Sequence, residues 1–248
     1  MGMNDFKEDL NLERRVCPII FLLDASGSMR GATIGALNDA MEQIIPELKS
    51  MADSNSDYDI KIAIATFANS VVWHTGNELV KPGDYHFNAL NADGSTAMGQ
   101  AFKELNERLS TSHGFMRQAS GSVAPVLFLL SDGLPDEGYE SDLADLQTNG
   151  WYKEAYRVAI GYGDECDYEV LYQFTGNKGT VFKSDDPRNL SELIKFVAVR
   201  SSQVASSSKN TGDETKDNTE EISDAIKDDV KDGLVAPQYA LGPDEKFD

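Results

Sequence analysis

Basic residues are scarce in this chain: 22 Lys and Arg stand against 42 Asp and Glu, a formal net charge of −20. Such a balance offers no electrostatic footprint for a phosphate backbone or an anionic bilayer, which argues against nonspecific nucleic-acid binding and membrane docking. Cysteine is scarcer still. Cys17 and Cys166 are the only two. They cannot build a zinc cluster, their positions suggest no disulfide between them, and two thiols without a framework fit a reducing compartment. The three histidines, His74, His86 and His113, fall in hairpin or loop segments without metal-ligand spacing. No G-x-S-x-G elbow accompanies them, so a serine-hydrolase triad lacks support. No G-x-G-x-x-G follows the first apolar run and no Gly-Lys precedes a Ser or Thr, so no phosphate-cradling nucleotide loop is indicated. No run approaches the roughly 18 apolar residues of a membrane span. The stretch from Met1 to Arg15 is charged and has no apolar h-region, so no signal peptide is evident. The expectation is a soluble, cytoplasmic protein.

Apolar residues are plentiful, at 40% of 248, enough for one domain with a real core plus an extension. The stretch that organises the rest is Cys17-Pro18-Ile19-Ile20-Phe21-Leu22-Leu23-Asp24-Ala25-Ser26-Gly27-Ser28. A run apolar at every position reads as a strand buried on both faces of a parallel sheet. Gly31 to Ala52 then carries Ile34, Leu37, Met41, Ile44, Ile45 and Leu48 on one helical stripe. Ile60 to Phe67 and Val71 to His74 read as an antiparallel edge hairpin, and residues 76–95 as a long loop. A helix is expected over Thr96 to Leu109, a second fully apolar strand over Val126 to Leu130, and a helix over 141–154. Further strands are expected at Ala155 to Ile160 and Gly179 to Phe182, with a short helix at Tyr168 to Phe174 between them. A closing helix is expected over Pro187 to Val199, capped by Asp186.

This alternation specifies an α/β fold: a Rossmann-like, doubly wound, mostly parallel sheet with helices on both faces and one antiparallel edge strand. Residues 1–14 are expected to be a flexible N-terminus and 15–200 the domain. Residues 201–248 read as an acidic, Ser- and Asp-rich linker and tail, disordered in the free chain. Within it Thr219 to Asp232, with Ile222, Ile226 and Val230 four apart, reads as either a docking helix or disorder, and disorder is preferred because an isolated helix of that length is marginal in water.

The polar cluster Asp24, Ser26, Ser28 closes the first strand at its C-terminal end, where open α/β sheets place their ligands. The loop Asp93-Gly94-Ser95-Thr96 and the strand end at Asp132 come to the same edge. Three hydroxyls and two carboxylates form an all-oxygen set suited to a hard divalent cation, whose charge they leave partly uncompensated. Such an ion can take a further carboxylate from an incoming ligand. Gly27 and Gly94 would let the loops turn tightly beside it. The alternative is that Asp24 or Ser26 caps the next helix.

Asp24-Ala25-Ser26-Gly27-Ser28, Thr96 and Asp132 resemble the D-x-S-x-S, T and D elements of the metal-ion-dependent adhesion site in von Willebrand factor A domains, over about residues 14–200. The resemblance implies bound Mg²⁺, with Mn²⁺ or Ca²⁺ as alternatives. Asp24, Ser26, Ser28, Thr96 and Asp132 would coordinate it directly or through water, and a protein partner's Asp or Glu would fill the open position. Arg15 to Arg30, Gly94 to Gly99 and Pro125 to Pro135 are most similar to the bacterial stand-alone TerY-like tellurium-resistance group. That similarity implies an adaptor, monomeric on its own, in cytoplasmic metal- and stress-response complexes. Asp136 and Glu137 depart from that group's usual threonine after the proline; they read as a solvated loop capping the next helix, the alternative being that their charge strengthens metal binding or repels an acidic ligand.

Two rival functions follow from the same residues. One is a metal-free scaffold whose acidic tail makes the contacts. The other is a hydrolase using the ion to activate water, for which no base or nucleophile is visible. An aspartyl-phosphate mechanism would need a second acid two residues after Asp24, where Ser26 stands.

Overall fold

The structure is a computed structural model that describes residues 14–117, 122–132, 134–207 and 217–231. A six-stranded sheet runs in the order β3-β2-β1-β4-β5-β6. Its strands are β1 (Arg15–Asp24), β2 (Tyr58–Phe67), β3 (Val71–Trp73), β4 (Val126–Ser131), β5 (Tyr156–Tyr162) and β6 (Val181–Ser184). Every pairing is parallel except β2 with β3. The helices are α1 (Ala32–Ser54), α2 (Met98–Arg108), α3 (Tyr139–Thr148), α4 (Gly150–Glu154), α5 (Tyr168–Thr175), α6 (Pro187–Ser207) and α7 (Asn218–Lys231). Among the described residues none of them is long and apolar enough to cross a membrane.

The unbroken apolar run of β1 is explained by cover on both faces. Ile19, Phe21 and Leu23 pack with Leu37, Met41 and Ile44 of α1 and with Leu190, Ile194 and Val197 of α6. Ile20 and Leu22 pack with Phe102 and Leu105 of α2, Leu146 of α3, and Leu171 and Phe174 of α5. From β1 the chain passes through α1 to β2 on one side, while β4 lies on the other. The strand order therefore reverses between β1 and β4, and the crevice that opens there at the C-terminal strand ends is where such sheets bind ligands.

The expected helix over 141–154 is two helices. Asn149 breaks it, its side chain accepting from the backbone N–H groups of Trp151 and Tyr152 to cap α4. Asp186 caps α6 as expected, accepting from Arg188 N at 2.9 Å.

The tail departs from expectation. α6 continues to Ser207, and α7 forms over the segment for which a docking helix was the alternative to the preferred disorder. Ile222 and Ile226 are buried in the same core as α1 and α6. Asn218 Nδ2 donates to Glu154 O at 2.6 Å, Thr219 Oγ1 meets Ala155 O at 3.3 Å, and the Asp217 carboxylate pairs with the Arg157 guanidinium at 3.0 Å. A 14-residue helix that is marginal alone is held by the surface it covers. Residues 1–13, 208–216 and 232–248 lie outside the described residues, as does the rest of the expected N-terminal and tail behaviour.

Candidate functional site

Strand register brings the site together. Leu23 pairs with Leu130, so Asp24 and Ser131 end neighbouring strands. Ser131 Oγ donates to Asp24 Oδ2 at 2.6 Å, and Ser26 N donates to Asp24 Oδ1 at 2.8 Å. From Ser26 the hydroxyl network continues across the crevice. Ser26 Oγ lies 3.0 Å from Ser28 Oγ, and Ser28 Oγ donates to Asp132 Oδ1 at 2.8 Å. Four of the five expected ligands thus form one hydrogen-bonded chain. Neither Asp24 nor Ser26 caps α1, which begins after Gly31 with no side-chain cap.

Thr96 lies on the facing loop, which meets the β1–α1 loop by backbone contacts, and among the described residues its hydroxyl is not part of the hydrogen-bonded chain of the other four. Gly27 N donates to Gly94 O at 2.9 Å, and Asp93 N to Ala25 O at 2.9 Å. Gly94 has φ +89°, and a Cβ built on it would lie 2.4 Å from the Asn69 side chain. Asn69 Oδ1 in turn accepts from Ser95 N at 3.0 Å. Gly94→Ala is expected to cost about 1–3 kcal/mol of stability, from a backbone conformation that L residues rarely adopt. Urea unfolding of the variant beside the parent measures it. Thr96 itself stands just before α2, which starts at Met98 rather than at Thr96.

Asp136 also differs from expectation. It caps the start of α2 rather than α3: Gly99 N donates to Asp136 Oδ1 at 3.3 Å, and Asp136 N donates to Thr96 O at 3.2 Å. The third loop is thereby tied to the second, close to Thr96.

Asp24 has no solvent exposure, and neither it nor Asp132 pairs with a Lys or Arg among the described residues. Burial pushes the Asp24 carboxyl up, against the hydrogen bonds from Ser131 and Ser26. Asp132 is pushed up to about 6, first by burial, opposed by the Ser28 hydrogen bond and reinforced by the charge of Asp24. A buried carboxylate without a counter-charge is strongly disfavoured, and a divalent cation is the group that removes the penalty. The donor chemistry fits one, being carboxylate and hydroxyl oxygen throughout. No three His, Cys, Asp or Glu side chains gather as a metal group among the described residues, as expected for a site that is largely hydroxyl.

Sequence reasoning missed Ser131, whose hydroxyl fixes Asp24. Its signal was available: a lone polar residue closing an apolar strand immediately before Asp132. It also missed Arg30, which forms an ion pair with Asp93 at the rim. Cys166 touches the site from behind, donating to Ser131 O, and burial pushes its thiol up to about 12, so it stays protonated.

Comparison with known proteins agrees with this architecture. The sequence profile of the von Willebrand factor type A domain matches residues 19–196. Inter-alpha-trypsin inhibitor heavy chain H2 of Mus musculus is 28% identical over 187 residues, 71% of this chain and 19% of that protein. The Sus scrofa protein is 27% identical over 185 residues, 72% of this chain and again 19% of the relative. The chain spans about a fifth of the length of these curated relatives. Among solved structures, the von Willebrand factor type A protein from Catenulispora acidiphila superposes with TM-score 0.58 at 19% identity, covering 75% of this chain and 42% of that one. Proximal thread matrix protein 1 from the mussel byssus, solved with a zinc-occupied MIDAS motif, gives TM-score 0.56 at 20% identity, covering 76% and 46%. At these identities the structures speak for the fold alone.

Proposed function

The chain belongs to the von Willebrand factor type A domain family, and on that premise we propose that it is a divalent-cation-dependent protein-binding module. The observation that carries the reading is the buried carboxylate of Asp24, without a cationic partner among the described residues and linked by Ser26 and Ser28 to the second carboxylate of Asp132. Asp24, Ser26, Ser28, Thr96 and Asp132 would hold the ion, directly or through water. When bound, it supplies an electrophilic position for a partner's Asp or Glu. The hydroxyl-rich set favours Mg²⁺, with Mn²⁺ or Ca²⁺ next. It is a binder and not an enzyme in this reading. The titratable groups of the network are the two aspartates, both committed to the ion, and the Cys166 thiol that touches it stays protonated. The finer placement, as a cytoplasmic adaptor of the TerY-like group, rests on residues 15–30, 94–99 and 125–135.

Calorimetric titration of Mg²⁺, Mn²⁺ and Ca²⁺ into metal-stripped protein tests the reading. Saturable one-site binding is expected, and its absence would overturn the proposal. The pH dependence has a definite sign. The ion competes with a proton at Asp132, so affinity is expected to fall as pH drops from 7 through about 6. Asp132→Asn should bind more weakly at pH 7 and lose the part of that pH dependence that belongs to Asp132. In the cation-free protein the sign for stability is reversed. The folded state keeps a proton that the unfolded chain releases near the ordinary 3.8, so this carboxyl destabilises the fold as pH rises from there to about 6.

A further inference from the structure

A carboxylate on a cation identifies no particular partner, since any acidic residue or acetate supplies one. Discrimination must come from the rim. Leu134 is one of two large hydrophobic side chains exposed among the described residues, with 67% of its surface in water, the other being Val72 on the edge strand β3. Leu134 follows Asp132 by two residues in the sequence and stands two before Asp136. Ser28 holds Asp132 at 2.8 Å, while Thr96 and Gly99 hold Asp136. Pro135 restricts the backbone between them. The leucine is thus exposed to solvent two residues from each of Asp132 and Asp136, which those contacts hold. Asp136 and Glu137 follow it, both exposed and in no ion pair among the described residues, whereas Arg30 on the other loop is occupied by Asp93.

We propose that Leu134 is the specificity contact of this site. The partner segment would carry a large apolar side chain within two residues of its Asp or Glu, to pack on Leu134. A Lys or Arg near it would face Asp136 and Glu137. This rests on the cation-dependent binding proposed above. The apolar contact supplies affinity that free carboxylate lacks and shields the ionic bond from water, as neutral contacts do around interface hot spots. The basic residue offsets the repulsion that a rim of uncompensated acids exerts on an acidic ligand.

A random peptide library displayed against immobilised protein in Mg²⁺, eluted with EDTA, tests this, with Leu134→Ser and Asp24→Asn in parallel. Peptides eluted from the parent are expected to pair an acidic residue with a neighbouring large apolar residue and a nearby Lys or Arg. Leu134→Ser should bind those peptides about 10-fold more weakly, the loss for one partly buried leucine side chain, with its Mg²⁺ affinity by calorimetry unchanged. EDTA-eluted peptides without the apolar preference, or with equal affinity for Leu134→Ser, would overturn the role of Leu134 and leave the cation reading standing. No EDTA-sensitive peptide from the parent, or the same set from Asp24→Asn, would overturn both.

Discussion

Asp24→Asn is expected to abolish cation binding while leaving the cation-free domain as stable as the parent or more so. The two effects have opposite signs because Asp24 serves the ion at the fold's expense. Its carboxylate is fully buried with no cationic partner among the described residues, and its hydrogen bonds come from the Ser131 and Ser26 side chains and the backbone of Ser26 and Asp132. Asparagine keeps the two shortest: its carbonyl accepts from Ser26 N, and its amide donates to Ser131 Oγ. It removes the charge that burial disfavours. Loss of outer-sphere partners alone weakens metal sites by about 10- to 100-fold, so loss of this carboxylate should exceed roughly 100-fold. Thermal unfolding of metal-stripped protein, with and without added Mg²⁺, reads both effects. The parent should gain stability with the ion, and the variant should not. A variant that still gains stability from Mg²⁺ would remove Asp24 from the site.

The strand ends were legible because burial on both faces writes itself as an unbroken apolar run, and β1 and β4 are the two places where that run occurs. Asp24 and Asp132 close or follow them, so the crevice could be assembled from the alternation of elements alone. What one chain position does for another across the crevice was not legible. Asp136 reads locally as the start of the next helix, yet it serves α2, some 37 residues earlier in the chain. Ser131 reads as a strand terminus, and only the register with β1 makes it the clamp on Asp24. α7 was legible only as an alternative to disorder, for a related reason. Its two buried isoleucines stand among Asp, Glu, Lys and Ser, and a stripe that narrow specifies a helix only once there is a surface to cover.

That surface yields the second large effect. Ending the chain after Ser207 is expected to lower stability by about 2–4 kcal/mol, the range for losing well-packed aliphatic burial, without preventing folding. Ile222 and Ile226 leave the core, and Arg157, only 9% exposed, loses the Asp217 carboxylate. Arg157 is not thereby orphaned. Its Nε donates to Thr175 O at 3.0 Å and its Nη1 to Tyr152 O at 2.8 Å, carbonyls at helix C-termini that carry partial negative charge. The shortened domain therefore retains a counter-field for its buried cation. Ile222→Ala in the full chain should destabilise by no more than the truncation does, because α7 can undock locally once its own binding is spent. A larger loss in the point variant than in the truncation would mean that α7 and the sheet unfold only together. The same interface also holds a gain in reserve. Ser223 Oγ is buried without a hydrogen-bond partner among the described residues and abuts Gly179. Ser223→Ala removes an unsatisfied hydroxyl and is expected to stabilise the full chain by about 1 kcal/mol. In the truncated chain the position is gone, so the gain measured by urea unfolding belongs wholly to the docked state of α7.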